Sequence, residues 1–322
     1  MTNRLVFVLF VLWGCTLSAP PAQAQPYPAK AIRFIVPYPP GGGTDLFART
    51  LAPALSEGFG QQVVVENRAG AQGNIGVAAV AKATPDGYTI GLTDTSTLTM
   101  NPWLYANPGF HPLNEFSHIS LGVTYPNAVV IHPSVPAKSL KELAALARAR
   151  PNELTFASAS ALSQLTGEHF KILTGVKMLH IPYKGAGPAT IDLVGGHVNV
   201  MFATAASSVP MIRAGKTRAI AVTGPARIPA LPNVPTSAEA GYPNFEVVGW
   251  FALAAPPNTP REILARLNRE VRRALGVPAI AESLVTAGLD PKSTSPEEMT
   301  ALVKADLARW GNVVKAVGIL PQ

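Results

Sequence analysis

From Ile32 onward, short apolar runs alternate with segments that carry helix-start signals, and no other feature narrows the fold as far. The runs are Ile32 to Val36, Val63 to Val65, Tyr88 to Leu92, Ala128 to Ile131, Thr155 to Ala157, Val198 to Phe202 and Ala219 to Val222. They are mainly apolar rather than alternating, so they read as strands buried on both faces, the habit of parallel sheets. Ser139 with Glu142, Thr259 with Glu262 and Ser295 with Glu298 read as capping boxes, in which hydroxyl and carboxylate satisfy opposite backbone donors. Pro260 and Pro296 fall in the first helical turn, where a missing N–H costs nothing. Each parallel crossover needs a helix to return the chain, so the pattern predicts an α/β fold.

The first residues stand apart from this pattern. Arg4, the apolar run Leu5 to Leu12 and the sequence Ala22, Gln23, Ala24 form a signal peptide, residues 1–24, with the mature chain starting at Gln25. The run is far shorter than the roughly 20 residues a membrane span needs, and Pro20 and Pro21 break it. Cys15, the only cysteine, leaves with this segment, so the mature protein has neither a disulfide nor a thiolate metal site. Trp13 stands where a lipoprotein attachment site needs a small residue. What remains exceeds one ordinary core and predicts two lobes with a cleft between them. Two extended apolar stretches, Ser120 to Ile131 and Phe245 to Leu253, read as strands that cross between lobes. The first lobe is then residues 25–126 with 249–322, and the second 127–248.

Lys and Arg (26) outnumber Asp and Glu (19), a balance that favours an anionic ligand through the overall field. Nucleic acid is not expected: the densest cluster, Arg266, Arg269, Arg272 and Arg273, is interrupted by Glu270 and has no aromatic interleaved to stack bases.

The strongest local feature is the segment Pro37 to Asp45, with Gly41, Gly42 and Gly43 joining a buried strand to the helix through Leu46, Phe47, Leu51 and Leu55. Three glycines let a ligand approach the backbone, and Thr44 or Asp45 can cap a helix whose free N–H groups face the same spot, which suits an oxyanion. A turn that is glycine-rich for geometry alone is the alternative. It is not a Walker loop; Gly215, Lys216 and Thr217 resemble one, but Pro210 stands where the first glycine is required. A second strand-to-helix junction runs from His180 to Pro188, with Gly187 suited to the N-cap and Pro188 to the first helical position. Thr190 in the third glycine's place excludes a dinucleotide fingerprint, and Lys184 reads as a solvated loop lysine. Hydroxyl-rich strand exits complete the set: Thr93, Thr95, Ser96 and Thr97; Ser158, Ser160 and Ser163; Thr204, Ser207 and Ser208. They offer neutral donors to an anion, and helix capping accounts for any one of them equally well.

Catalytic motifs are missing. The six histidines form neither H-E-x-x-H nor H-x-x-x-H, no serine sits in a G-x-S-x-G elbow, and Glu66 with Arg68 reads as a loop salt bridge.

Several segments resemble the substrate-binding receptors of tripartite tricarboxylate transporters, also called Bug receptors: PYPPGGGTDLFAR (37 to 49), VENRAGAQGNIG (65 to 76), TPDGYTIGL (84 to 92), NPWLY (101 to 105), IPYKGAGPATIDLVGGHVNVMF (181 to 202), LPNVPTSAEAGYPNFEVVGWF (231 to 251) and RWGNVVKAVGI (309 to 319). They occur in the family's order along the whole mature chain. The resemblance implies a periplasmic-binding-protein type II-like fold: two α/β lobes joined by crossing strands, with the ligand cleft between them. It implies a periplasmic receptor without enzyme activity, which holds a small carboxylate-bearing solute; a monomer without cofactor or metal is expected. Tyr38, Gly41, Gly42, Gly43, Thr44 and Asp45 would contact the solute from one side and Ser158, Tyr183, Ala186 and Gly187 from the other, with Thr95, Ser96 and Thr204 among the hydroxyls. The partner would be a two-subunit membrane permease, or a sensor kinase if the receptor reports its bound state; a periplasmic hydrolase is the enzymatic rival. One departure stands out: residues 157–164 lack the glycine usual in similar receptors, which puts side-chain bulk into the distal half of the pocket.

Overall fold

The computed structural model describes residues 27–317. The leader at 1–24, with Cys15, and the last two residues of the closing motif lie outside the described residues. In chain order the elements are β1 (Ile32–Val36), α1 (Gly43–Phe59), β2 (Val63–Asn67), α2 (Asn74–Ala81), β3 (Thr89–Asp94), α3 (Asn101–Leu104), β4 (Ser117–Ile131), α4 (Leu140–Ala149), β5 (Thr155–Ser158), α5 (Ala161–Thr174), β6 (Leu179–Pro182), α6 (Ala186–Val194), β7 (Val200–Thr204), α7 (Ala205–Arg213), β8 (Arg218–Val222), β9 (Val248–Ala255), α8 (Arg261–Leu275), α9 (Pro278–Ala287), β10 (Asp290–Pro291) and α10 (Pro296–Val317).

Two lobes share one long strand. Residues Ser117 to Pro126 of β4 pair with β9, whose other edge meets β3, and β1 joins β3 to β2. Beyond this point β4 changes partners: Asn127 to Ile131 pair with β7 on one edge and β8 on the other, and β5 links β7 to β6. The chain crosses back near Val247, whose backbone is held by Thr223 through its amide (2.9 Å) and carbonyl (2.6 Å) before β9 begins.

The runs are mainly apolar because both sheet faces are covered. In the first lobe Phe34 and Val36 face one core with Phe47 and Leu51 of α1, while Ile35 faces another with Val77 and Val80 of α2. In the second, Val129 and Phe156 pack with Leu143 and Phe170, while Ala128 and Ala157 pack against Ala189 and Leu193 of α6.

Parallel pairing holds for β1, β2 and β3 and for β5, β6 and β7, but not for two of the runs read as parallel. Ala128 to Ile131, in β4, pairs antiparallel with both neighbours, and Ala219 to Val222, in β8, pairs antiparallel with β4. A strand that threads two sheets has one direction, and the helix-connected strands beside it run the other way. Helix starts need one correction as well. Thr259 does not cap α8; its hydroxyl donates to Pro256 O (2.8 Å), and Pro260, extended at ψ 139°, takes the N-cap position. Ser139 caps α4 (3.2 Å), but Glu142 reaches the amide of Lys138 instead of closing the box (2.8 Å). Only Ser295 and Glu298 make both expected bonds, 2.8 and 3.1 Å.

Candidate functional site

Strands β1, β5, β6 and β7 end at one crevice, and each leads through at most a short loop into a helix, so four helix N-termini converge where open α/β sheets present ligands. They surround a small cavity of about 40 Å³. Tyr38, Gly42, Gly43 and Thr44 line it from the first lobe, and Ser160, Ser163, Ala186 and Thr204 from the second. Tyr125 of β4 and Phe251 of β9, with rings 4.5 Å apart, close it at the hinge.

The start of α1 is open because its N-cap residue is Gly42, which has no side chain to satisfy the first amides. Leu46 N–H, bonded to Gly42 O at 3.0 Å, is the first to find an acceptor in the helix, which leaves the amides of Gly43, Thr44 and Asp45 to face outward. Asp45 and Gly41, expected as ligand contacts, do not line the cavity. The Asp45 carboxylate accepts from Gly41 N–H (3.1 Å), Arg49 Nε (3.0 Å) and Asn67 Nδ2 (3.0 Å), so it braces the loop from behind. Burial pushes this carboxyl up, but the bonds from Arg49, Asn67 and Gly41 outweigh it and hold it below the usual carboxylate range. Gly41 supplies the bend itself, at φ +86°.

On the facing side α6 begins two residues earlier than expected, with Gly185 as N-cap, Ala186 first and Pro188 third; neither Gly185 nor any other side chain caps it. Its glycines serve the fit between lobes. A Cβ on Gly187 would stand 2.6 Å from Pro40 O, and one on Gly185 2.5 Å from Pro39 Cδ. Of this segment only Ala186 lines the cavity, and Gly187 packs against Pro40 of the other lobe. Tyr183 also points elsewhere: its hydroxyl donates to Asp192 Oδ2 at 2.6 Å, and burial with that bond pushes the phenol up to about 12. Lys184 is exposed.

The hydroxyl exits divide in the same way. Thr204 is the N-cap of α7 and lines the cavity wall together with Tyr125. Ser160 and Ser163 cap α5 reciprocally and line the cavity beside Ala159. Thr95, by contrast, is consumed by Trp250 N–H (2.8 Å), and Ser96 accepts from Leu162 N–H of α5 at 3.1 Å, a bond between lobes. Ser158 lies outside the cavity with its Oγ 2.6 Å from His180 Nε2. This Ser–His contact was not legible in the sequence, but the serine is 1% exposed and the imidazole, pushed down by burial, stacks on Phe156 at 4.9 Å. The serine is buried in β5, and the half-buried imidazole stands on the edge strand β6, away from the cavity.

Asp94 is the lining residue the sequence reading missed. It is 2% exposed, and three donors hold it: Tyr38 OH at 2.9 Å, Thr97 N–H at 2.8 Å and Thr97 Oγ1 at 2.7 Å. Burial raises its carboxyl against the pull of these bonds, and the same burial, with Asp94 beside it, keeps the Tyr38 phenol protonated. A carboxylate ending an otherwise apolar strand was the available signal. Tyr125, Phe251 and Ala203 gave none, because strand residues at a cavity look like strand residues in a core.

The arrangement is suited to a small anionic group: it offers helix-start amides and hydroxyls, and places no exposed nucleophile beside a base. Comparison with known proteins agrees with the architecture. A family model described as tripartite tricarboxylate transporter family receptor matches residues 47–319. BugT of Bordetella pertussis is 38% identical over 319 residues, covering 98% of each chain. The periplasmic binding protein BugD superposes with a TM-score of 0.89 at 36% identity, covering 92% of this chain and all of that one. An R. palustris protein solved with adipate does so with a TM-score of 0.89 at 37% identity and the same coverage. By fold, by motif order and by full-length similarity, the chain belongs to the tripartite tricarboxylate transporter receptor family.

Proposed function

We propose that this protein is a periplasmic receptor that captures a small carboxylate-bearing solute between its lobes and delivers it to a two-subunit permease, without turning it over. The observation that carries this reading is the convergence of the side-chain-uncapped starts of α1, α6 and α7 on one cavity that holds no cationic side chain. Helix N-termini offer partial positive charge and oriented N–H groups, so an anion is bound without a buried cation to desolvate. The solute's carboxylate accepts from the amides of Gly43 and Thr44 on one side and meets Ala186, Thr204 and Ser160 on the other.

A cavity of about 40 Å³ has room for little more than a carboxylate head group. Entry of a whole diacid, such as the adipate held by the R. palustris relative, needs the lobes to part, after which they close on its head group. Lobe movement therefore belongs to the mechanism: β4 between Pro126 and Asn127, and the backbone at Val247 and Val248, serve as the hinge. The lobes are residues 25–126 with 249–322, and 127–248. Export follows cleavage after Ala24.

Calorimetry of the mature protein with adipate and malate is the direct test. Binding that survives unchanged in Gly42→Leu, whose side chain would fill the cavity, removes the site from the mechanism. Chemical conversion of a bound acid overturns the receptor assignment.

A further inference from the structure

A second hollow, larger than the cleft cavity, lies on the other side of the hinge. Successive residues of a strand face opposite ways; Gly249 and Phe251 face the cleft, as does Tyr125, which also borders the hollow behind. Thr124 and Pro126 of β4 and Val248 of β9 therefore face the back, where they floor a hollow of about 290 Å³. The second lobe walls it with the turn from Gly224 to Pro229, and the first lobe with Val285, Leu289 and Lys292. The lining is mainly aliphatic and proline. Its charges are already matched: Arg227 pairs with Glu239 at 2.9 Å and Lys292 with Asp290 at 3.2 Å.

We infer that this hollow is a second binding site, for an uncharged, ring-sized apolar molecule, and that filling it favours the closed arrangement of the lobes. The chemical class follows from size and charge. An apolar cavity of about 150 Å³ holds benzene, so the hollow has room for two fused rings, and no free cation is present to attract an acid. The coupling follows from the lever. With the cleft shut to about 40 Å³, the hollow behind the hinge stands open; rotation that opens the cleft drives the turn at Ala226 toward Leu289 and shrinks the hollow. A molecule that fits only the closed arrangement tightens solute binding by the same factor that solute tightens its own. The coupling half of this inference rests on the hinge movement proposed above; the site itself does not.

The probe is indole. The mature chain contains no cysteine, so spin labels at Ala69→Cys and Lys184→Cys, both exposed and in different lobes, report the distance across the cleft. Crystals soaked with indole should show it against Pro126, Ile228 and Leu289, and Ala226→Trp should abolish its binding by filling the hollow. Indole should shorten the labelled distance, and Ala226→Trp should do so without it. Where adipate binds, saturating indole should tighten it about fivefold or more. Indole absent from the hollow, or bound equally by Ala226→Trp, overturns the site. Indole seated there with the distance unchanged overturns the coupling. If adipate does not bind, the carboxylate reading alone has failed, and the soak and the label distance still decide this one.

Discussion

The two glycine-rich junctions that face each other across the cleft look alike in sequence and use their glycines for different ends. In Pro37 to Asp45, Gly42 and Gly43 leave helix amides open to the cavity, and Asp45 fixes the loop from behind. In His180 to Pro188, Gly185 and Gly187 let the second lobe press against Pro39 and Pro40, and only Ala186 reaches the cavity. A glycine beside a helix start therefore marks either a ligand or a neighbouring backbone, and what lies opposite decides which. At position 42 the nearest atom is a methyl, Ala186 Cβ, at 3.4 Å; at position 187 it is a carbonyl oxygen at 2.6 Å.

Substitutions separate the two uses. Gly42→Leu should have the largest effect, a loss of solute affinity of about a hundredfold or more, near 3 kcal/mol, with the melting temperature of the free protein little changed, read by calorimetry and thermal denaturation. Gly187→Ala should weaken binding about tenfold, because its methyl holds the lobes apart; the distance across the cleft should lengthen while each lobe stays folded. Equal affinity in this variant would break the comparison.

Asp45→Asn should cost about threefold, since charge-assisted bonds to the loop weaken. It should also flatten the acid limb of the binding profile. Asp45 is held below its unfolded value, so its bracing is complete above the ordinary carboxylate pKa of about 4 and fades as pH falls through the lower folded value. Affinity measured from pH 7 to pH 3 in both proteins checks this. Gly42→Ala should change least, within about twofold, because a methyl there makes only ordinary contact with Ala186. A large loss from that single methyl would mean that the solute fills the space beside Gly42 to van der Waals contact.

Much of the site's location was legible in the sequence because strand-to-helix junctions in an α/β chain must gather at one end of the sheets. Gly42, Gly43, Thr44 and Thr204 could be picked out on that ground. Tyr183, Thr95, Ser96 and Ser158 were chosen by the same reasoning and turn out to bond Asp192, Trp250, Leu162 and His180 instead. A hydroxyl after a strand has several acceptors and donors within reach, and its sequence position does not rank them. Tyr125 and Phe251 reach the cavity from segments recognised as crossing strands, but nothing local shows which of their alternate residues faces the cleft.

Local chemistry written into the sequence, the apolar runs, the prolines and glycines at helix starts and the order of the family's segments, determined the α/β class and the two lobes, and marked the junctions proposed to hold the ligand. Tertiary structure decided which junction atoms stay free, that Asp94 lies at the cavity wall, and that a roomier hollow opens behind the hinge. Those outcomes depend on groups far apart in the chain meeting at hydrogen-bond and van der Waals distance, and such meetings are set by the packing of whole lobes rather than by any residue's neighbours in sequence.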